Sequence, residues 1–98
     1  MDSDERVHMH FHSSRDPELE WEVSDHEISE AFNEPYKAEL SLRTRALEAE
    51  PRALLGSSAT LVIDRGPLQR KLHGVVAHVV DGEHLDGHVR ATVTLVPA

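Results

Sequence analysis

The chain has 98 residues, no cysteine and a formal net charge of −8, from 18 acidic and 10 basic side chains. This length fits one small domain, residues 1–98, and the lack of cysteine excludes disulfides, thiolate zinc sites and a cysteine nucleophile. The acidic balance argues against a nucleic-acid partner, because binding to a phosphate backbone requires concentrated lysine and arginine.

The first part of the chain alternates between apolar and polar side chains, which is the period of a β-strand. In the run VHMHFH one face is apolar and the other is histidine: Val7, Met9 and Phe11 against His8, His10 and His12. The run LEWEVS has the same pattern: Leu19, Trp21 and Val23 against Glu20, Glu22 and Ser24. Asp16-Pro17 between the runs is a turn signal, so residues 6–25 predict a β-hairpin with Phe11 and Trp21 in the core.

The next clear strand follows a proline. Residues 28–34 are too short and mixed to predict a strand, and Pro35 favours an extended conformation at Glu34. Residues 36–43 alternate cleanly, and the pattern turns four side chains inward: Tyr36, Ala38, Leu40 and Leu42.

A short helical turn is predicted after this strand. Pro51 suits the first position of a helix and Gly56 suits its end. We therefore expect a short helix or 3₁₀ turn over residues 51–55, in which Leu54 and Leu55 plug one end of the sheet.

The last third of the chain again has the pattern of strands. SATLVID (58–64) is strand-like, RGP (65–67) is a turn, and LQRKLHGVVAHVV (68–80) is the longest β-type segment. Gly74 inside it indicates a bulge or a close backbone approach. A loop over 81–87, with two Asp-Gly pairs, predicts a hairpin.

The final strand has an apolar and a polar face: Val89, Ala91, Val93 and Leu95 point inward, and His88, Arg90, Thr92 and Thr94 point outward. Six short strands with one short helix predict a mainly β fold, as a small antiparallel barrel or sandwich. The nearly uncharged segment 72–80 is expected as a central strand, with pairing to a neighbouring subunit as the alternative.

The histidine run has two interpretations. Neighbours two apart on a strand lie about 6.6–7 Å apart, so His8 and His10 could share a metal, but the outer two are about 13 Å apart. Since Zn–N bonds are about 2.0–2.1 Å long, three histidines cannot converge on one ion without a bend. One in-phase hairpin register gives every histidine a glutamate opposite, and a shift by two residues leaves two such pairs. The pattern favours an outer-face His–Glu ladder.

No residue pattern predicts catalysis. A Gly-x-Ser-x-Gly motif is absent, and the adjacent serines of LLGSSA imply no oxyanion arrangement. A phosphate loop is also absent, because the glycines are scattered at turns. We therefore predict that the chain is not an enzyme, and we assign no catalytic, cofactor-binding or metal-binding residue.

Four motifs in order resemble the first hub lobe of the type VI secretion spike protein VgrG and of related phage tail hub (late control D-like) proteins. They are SEAFNEPYKAEL (29–40), ALLGSSATLVIDRG (53–66), RKLHGVVAHV (70–79) and ATVTLVP (91–97). The resemblance covers residues 7–97 and implies an antiparallel split β-barrel. Family members continue into a second lobe and a needle, so the chain is expected to be a fragment or a single-lobe relative.

The resemblance also implies a structural role in a contractile injection apparatus. In this family such lobes form part of the ring that joins the needle to the tube. The implied partners are a homotrimer of the parent protein and a hexameric, Hcp-like tube protein, without nucleic acid, membrane or cofactor. The alternative is a stand-alone β-barrel binding module that could bind metal through His8 and His10.

The expected location follows from the same resemblance, from the N-terminus and from the longest apolar run. The N-terminus lacks a basic region followed by an apolar run, which predicts no signal peptide. The longest apolar run, VVAHVV, is too short to cross a bilayer. We expect assembly in the cytoplasm and then secretion by the injection apparatus.

Overall fold

The computed structural model of the chain describes residues 7–29, 36–84 and 86–98, and of Val7 it describes the backbone alone. The predicted extended conformation at Glu34 lies outside the described residues. In chain order the elements are β1 (Val7–Ser13), β2 (Trp21–Ser29), β3 (Lys37–Thr44), a 3₁₀ turn (Pro51–Leu54), β4 (Ser58–Arg65), β5 (Leu68–Asp81) and β6 (Val89–Val96).

The described strands close into an antiparallel barrel in the order β1-β2-β3-β6-β5-β4. The predicted mainly β fold is confirmed, and of the two architectures the barrel is correct. β1 pairs along its whole length with β4, but with β2 only at His10–Glu22 and Phe11–Trp21 among the described residues. The predicted hairpin is therefore a short seam, and β1 depends on β4 for most of its backbone pairing.

β5 bridges two parts of the barrel because it is much longer than its neighbours. Its first half, Leu68–Val75, pairs with β4, and its second half, from Val75 to Asp81, pairs with β6. The register shifts between Val76 and His78. The shift lies beyond Gly74, which pairs in regular register with Ala59, so the predicted bulge at Gly74 is wrong. The predicted close backbone approach is correct, because a Cβ on Gly74 would overlap the Val96 carbonyl oxygen. The interpretation of this segment as a central strand is confirmed.

The core lies inside the barrel and is built by the alternating faces that the sequence shows. Phe11 and Trp21 are buried, as predicted, and every strand contributes to the same cluster. Its buried members are Phe11, Trp21, Ala38, Leu40, Leu42, Leu54, Ala59, Leu61, Leu72, Val76, Val89, Ala91, Val93 and Leu95. Burial of apolar area is the main stabilising contribution in such a small domain.

Two local predictions are wrong. β2 runs on to Ser29, because residues 25–29 pair with β3 after a register shift between Val23 and Asp25. Leu54 plugs the barrel end, but Leu55 is 52% exposed because it follows the 3₁₀ turn in extended conformation. Thr94 points outward, as predicted, although it is buried there.

Candidate functional site

The histidine run lies on the outer face of β1. His10 stands opposite Glu22, so the hairpin adopts the shifted of the two registers considered. The Nδ1 atom of His10 lies 3.6 Å from the Glu20 carboxylate. His8 stands opposite Asp64 of β4. Among the described residues one His–Glu ion pair forms, fewer than either register predicts, because Glu22 is bound to Arg43 instead.

The Glu22–Arg43 pair links β2 to β3 next to this run. The Arg43 side chain donates a hydrogen bond from Nε to Glu22, and this bond lowers the pKa of Glu22 below its usual 4.5. Both side chains are substantially exposed. The pair therefore adds a modest, salt-sensitive stabilisation.

A metal site would need converging ligands. In the ranges 7–29, 36–84 and 86–98, no group of three or more histidine, cysteine, aspartate or glutamate side chains is placed to hold an ion. Binding through His8 and His10 stays a prediction. Calorimetric titration with zinc checks it, because such binding would disappear in His10→Ala.

The serines of LLGSSA have a structural environment. Ser57 is buried, and its hydroxyl donates to the Leu54 carbonyl at 2.6 Å and accepts from Ser13 Oγ at 2.8 Å. The backbone of this turn pairs with β5: Gly56 N–H donates to Val76 O at 2.8 Å, and Val76 N–H donates to Ser57 O at 3.0 Å. This motif joins the 3₁₀ turn to the second half of β5.

The other half of β5 is joined to the barrel by a tyrosine. Tyr36 Oη donates to the His73 carbonyl at 2.6 Å. Burial raises the pKa of Tyr36 above its usual 10.0. Next to this bond, Gly74 packs so closely that a Cβ there would overlap the Val96 carbonyl oxygen and lie 2.9 Å from Tyr36 Oη.

A groove of about 580 Å³ opens at one end of the barrel. Its walls are the loop after β1 and the segment that leads into the 3₁₀ turn, and apolar side chains including Leu19, Trp21 and Leu54 line it. Carboxylates stand around it: Asp16, Glu18, Glu48 and Glu50. We call this feature the loop groove. No local sequence pattern indicates this groove, since its two walls are about thirty residues apart in the chain.

The opposite end of the barrel carries the β4–β5 hairpin tip, residues 65–71. Leu68 is 69% exposed there. The tip borders a second cleft, of about 590 Å³, together with Met9 and Ile28. Among the described residues there is no helix with the length and apolar character needed to cross a membrane.

The residues that close the barrel coincide with the four sequence motifs. Tyr36 belongs to the first motif, Ser57 to the second and Gly74 to the third, while Val96 belongs to the fourth. The sequence model of the phage tail baseplate hub (GPD) family matches residues 29–98, well over half of the chain. The chain belongs to the phage tail baseplate hub family. A search of curated proteins finds no match.

The hub family match shows which part of the barrel is shared. It covers β3, the 3₁₀ turn and β4 to β6, and it leaves β1 and nearly all of β2 outside. The histidine run on β1 therefore lies outside the matched region. The sequence resemblance correctly identified the hub family, while its narrower assignment to the VgrG spike stays a proposal.

Proposed function

We propose that the chain is a structural lobe of a contractile injection apparatus, either a phage-like tail hub or a type VI spike. In this role the barrel forms part of the ring that joins the needle to the tube. The supporting observation is the family match over residues 29–98. It is reinforced by the use of the motif residues, because Tyr36, Ser57 and Gly74 hold the barrel closed.

The partners in this proposal are protein surfaces. The parent protein would form a homotrimer and contact a hexameric, Hcp-like tube protein, with assembly in the cytoplasm before export. The net charge of −8 disfavours DNA or RNA as the partner. The role requires shape and stability and no catalysis.

The test uses the full-length parent protein together with the tube protein of the same gene cluster. We expect a mass of three parent subunits by light scattering, and joint elution with tube rings on size exclusion. Electron micrographs of the complex should show density for the barrel in a ring at the tube end. A monomeric parent that elutes apart from the tube would contradict the proposal.

A further inference from the structure

The loop groove has an excess of negative charge above an apolar floor. Four carboxylates line it against one arginine, Arg15. No described residue forms an ion pair or hydrogen bond with the side chains of these carboxylates. A groove of this kind fits an apolar side chain that arrives between positive charges.

Both walls of the groove are fixed by their own hydrogen bonds. In the first loop, Asp16 N–H donates to Ser13 O at 3.2 Å and Leu19 N–H donates to Asp16 O at 3.0 Å. In the second, Ala49 N–H donates to Ala46 O at 2.9 Å. The groove is thus preformed, which lowers the ordering cost of binding.

The chain itself carries the matching chemistry at its other end. The β4–β5 hairpin tip exposes Leu68 beside its cross-strand partner Arg65, and Lys71 is exposed three residues further along β5, on the other face of the strand. The nearby carboxylate of Asp64 already accepts a hydrogen bond from Gln69 Nε2 at 2.8 Å. The tip therefore presents an exposed leucine with cationic neighbours.

The two features lie too far apart to meet within one molecule. β1 pairs with β4 so that Val7 stands beside Arg65 near the tip, and Ser13 lines the loop groove. Seven strand residues separate the two ends, a distance of about 20 Å at about 3.4 Å per residue. A groove at one end and a complementary tip at the other can therefore meet only between two molecules.

We propose that the loop groove receives the β4–β5 hairpin tip of a second copy of this chain, with Leu68 on the apolar floor and Arg65 and Lys71 among the carboxylates. This contact needs neither tube nor needle, so it stands or falls separately from the function proposed above. One tip buries less surface than the roughly 1,200–2,000 Å² of a stable interface. The association is therefore weak.

Sedimentation equilibrium of the 98-residue chain, at up to millimolar concentration and about 0.15 M salt, measures the contact, because salt screens the repulsion between two chains of net charge −8. We expect concentration-dependent self-association. Glu48→Lys with Glu50→Lys should lower the association constant about tenfold or more, because like charges then face each other. The control, Glu39→Lys with Glu83→Lys, has the same net charge but should associate like the parent.

Two further variants test the tip. Leu68→Ser should weaken association several-fold, whereas Val80→Ser, which removes a side chain of similar exposure (63% against 69%), should not. Arg65→Glu with Lys71→Glu should abolish self-association. Mixing this variant with the Glu48→Lys, Glu50→Lys variant should restore it, since each tip then meets a groove of opposite charge.

Trp21 fluorescence gives an independent readout, because this single tryptophan lines the groove. It should change on association in the parent and in the restoring mixture, and it also reports that each variant is folded. A monomeric parent at millimolar concentration would overturn the proposal. So would equal weakening by the control pair, or a mixture of folded variants that fails to associate.

Discussion

Gly74→Ala adds one methyl group at the tightest point of the barrel. The glycine has no positive φ, and alanine is a better strand residue, so the same change in open space would stabilise the chain by about 0.4–1 kcal/mol. Here the new Cβ would overlap the Val96 carbonyl oxygen and approach Tyr36 Oη to 2.9 Å. Because Val96 O is backbone, the overlap cannot be relieved by a rotamer change.

The magnitude follows from three contributions. Overpacking costs about 1–3 kcal/mol, and displacing the Tyr36–His73 hydrogen bond costs about 0.5–1.5 kcal/mol. Against these stands the gain of about 0.4–1 kcal/mol from the stiffer unfolded chain. We expect a net loss of about 2 kcal/mol, which lowers the Tm of a domain of this size by about 8–16 °C.

Urea and thermal unfolding followed by Trp21 fluorescence measure this loss. The double variant with Tyr36→Phe separates the two contacts, because only the part due to the hydroxyl should disappear in that background. The clash with Val96 should remain. A Gly74→Ala chain as stable as the parent would refute the reasoning, since it would show that β5 does not pack against Val96 this closely.

Three other substitutions follow from the same contacts. Tyr36→Phe should lower the free energy of unfolding by about 1 kcal/mol at neutral pH. Because the pKa of Tyr36 is raised in the folded state, its stabilisation fades as pH rises above 10.0, and the variant should lose less stability than the parent there. The phenolate absorbance of this single tyrosine should titrate above 10.0. Ser57→Ala should lower the free energy of unfolding by about 1–3 kcal/mol, because Ser57 is buried and its hydroxyl makes two hydrogen bonds. The control Ser58→Ala, at an exposed serine, should change stability little, and a similar loss of stability in both variants would contradict the assigned role. Glu22→Gln should remove a stabilisation of at most about 1 kcal/mol, as expected for an exposed pair. Since the pKa of Glu22 is lowered in the folded state, that contribution is present above pH 4.5 and is lost at lower pH, so the stabilities of the parent and the variant should converge in acid. Parallel pH profiles of stability would argue against the Arg43 bond.

Much of the barrel could be predicted from local pattern. The inward faces of 36–43 and 88–96 follow from alternation alone, and so does the burial of Phe11 and Trp21. The errors lie where one residue's environment depends on a distant partner. Leu55 looks as apolar as Leu54, but the turn geometry exposes it.

The partners of the histidines show the same limit. Sequence reasoning placed glutamates opposite the run by assuming a long hairpin with β2. In the structure β1 pairs mainly with β4, so His8 faces Asp64 and His12 faces Thr60. A strand's partner on its second edge is set by closure of the whole barrel, and no local pattern specifies it.

The sequence by itself determined the strands and their apolar faces, because consecutive side chains on any extended backbone point to opposite sides. Its motifs also determined the hub family. Only the tertiary structure decided what those motifs do: Tyr36 reaches the backbone of β5, and Gly74 admits Val96. It also decided that the loop groove and the β4–β5 hairpin tip lie at opposite ends. These relations join residues far apart in the chain, so they exist only once the barrel has closed.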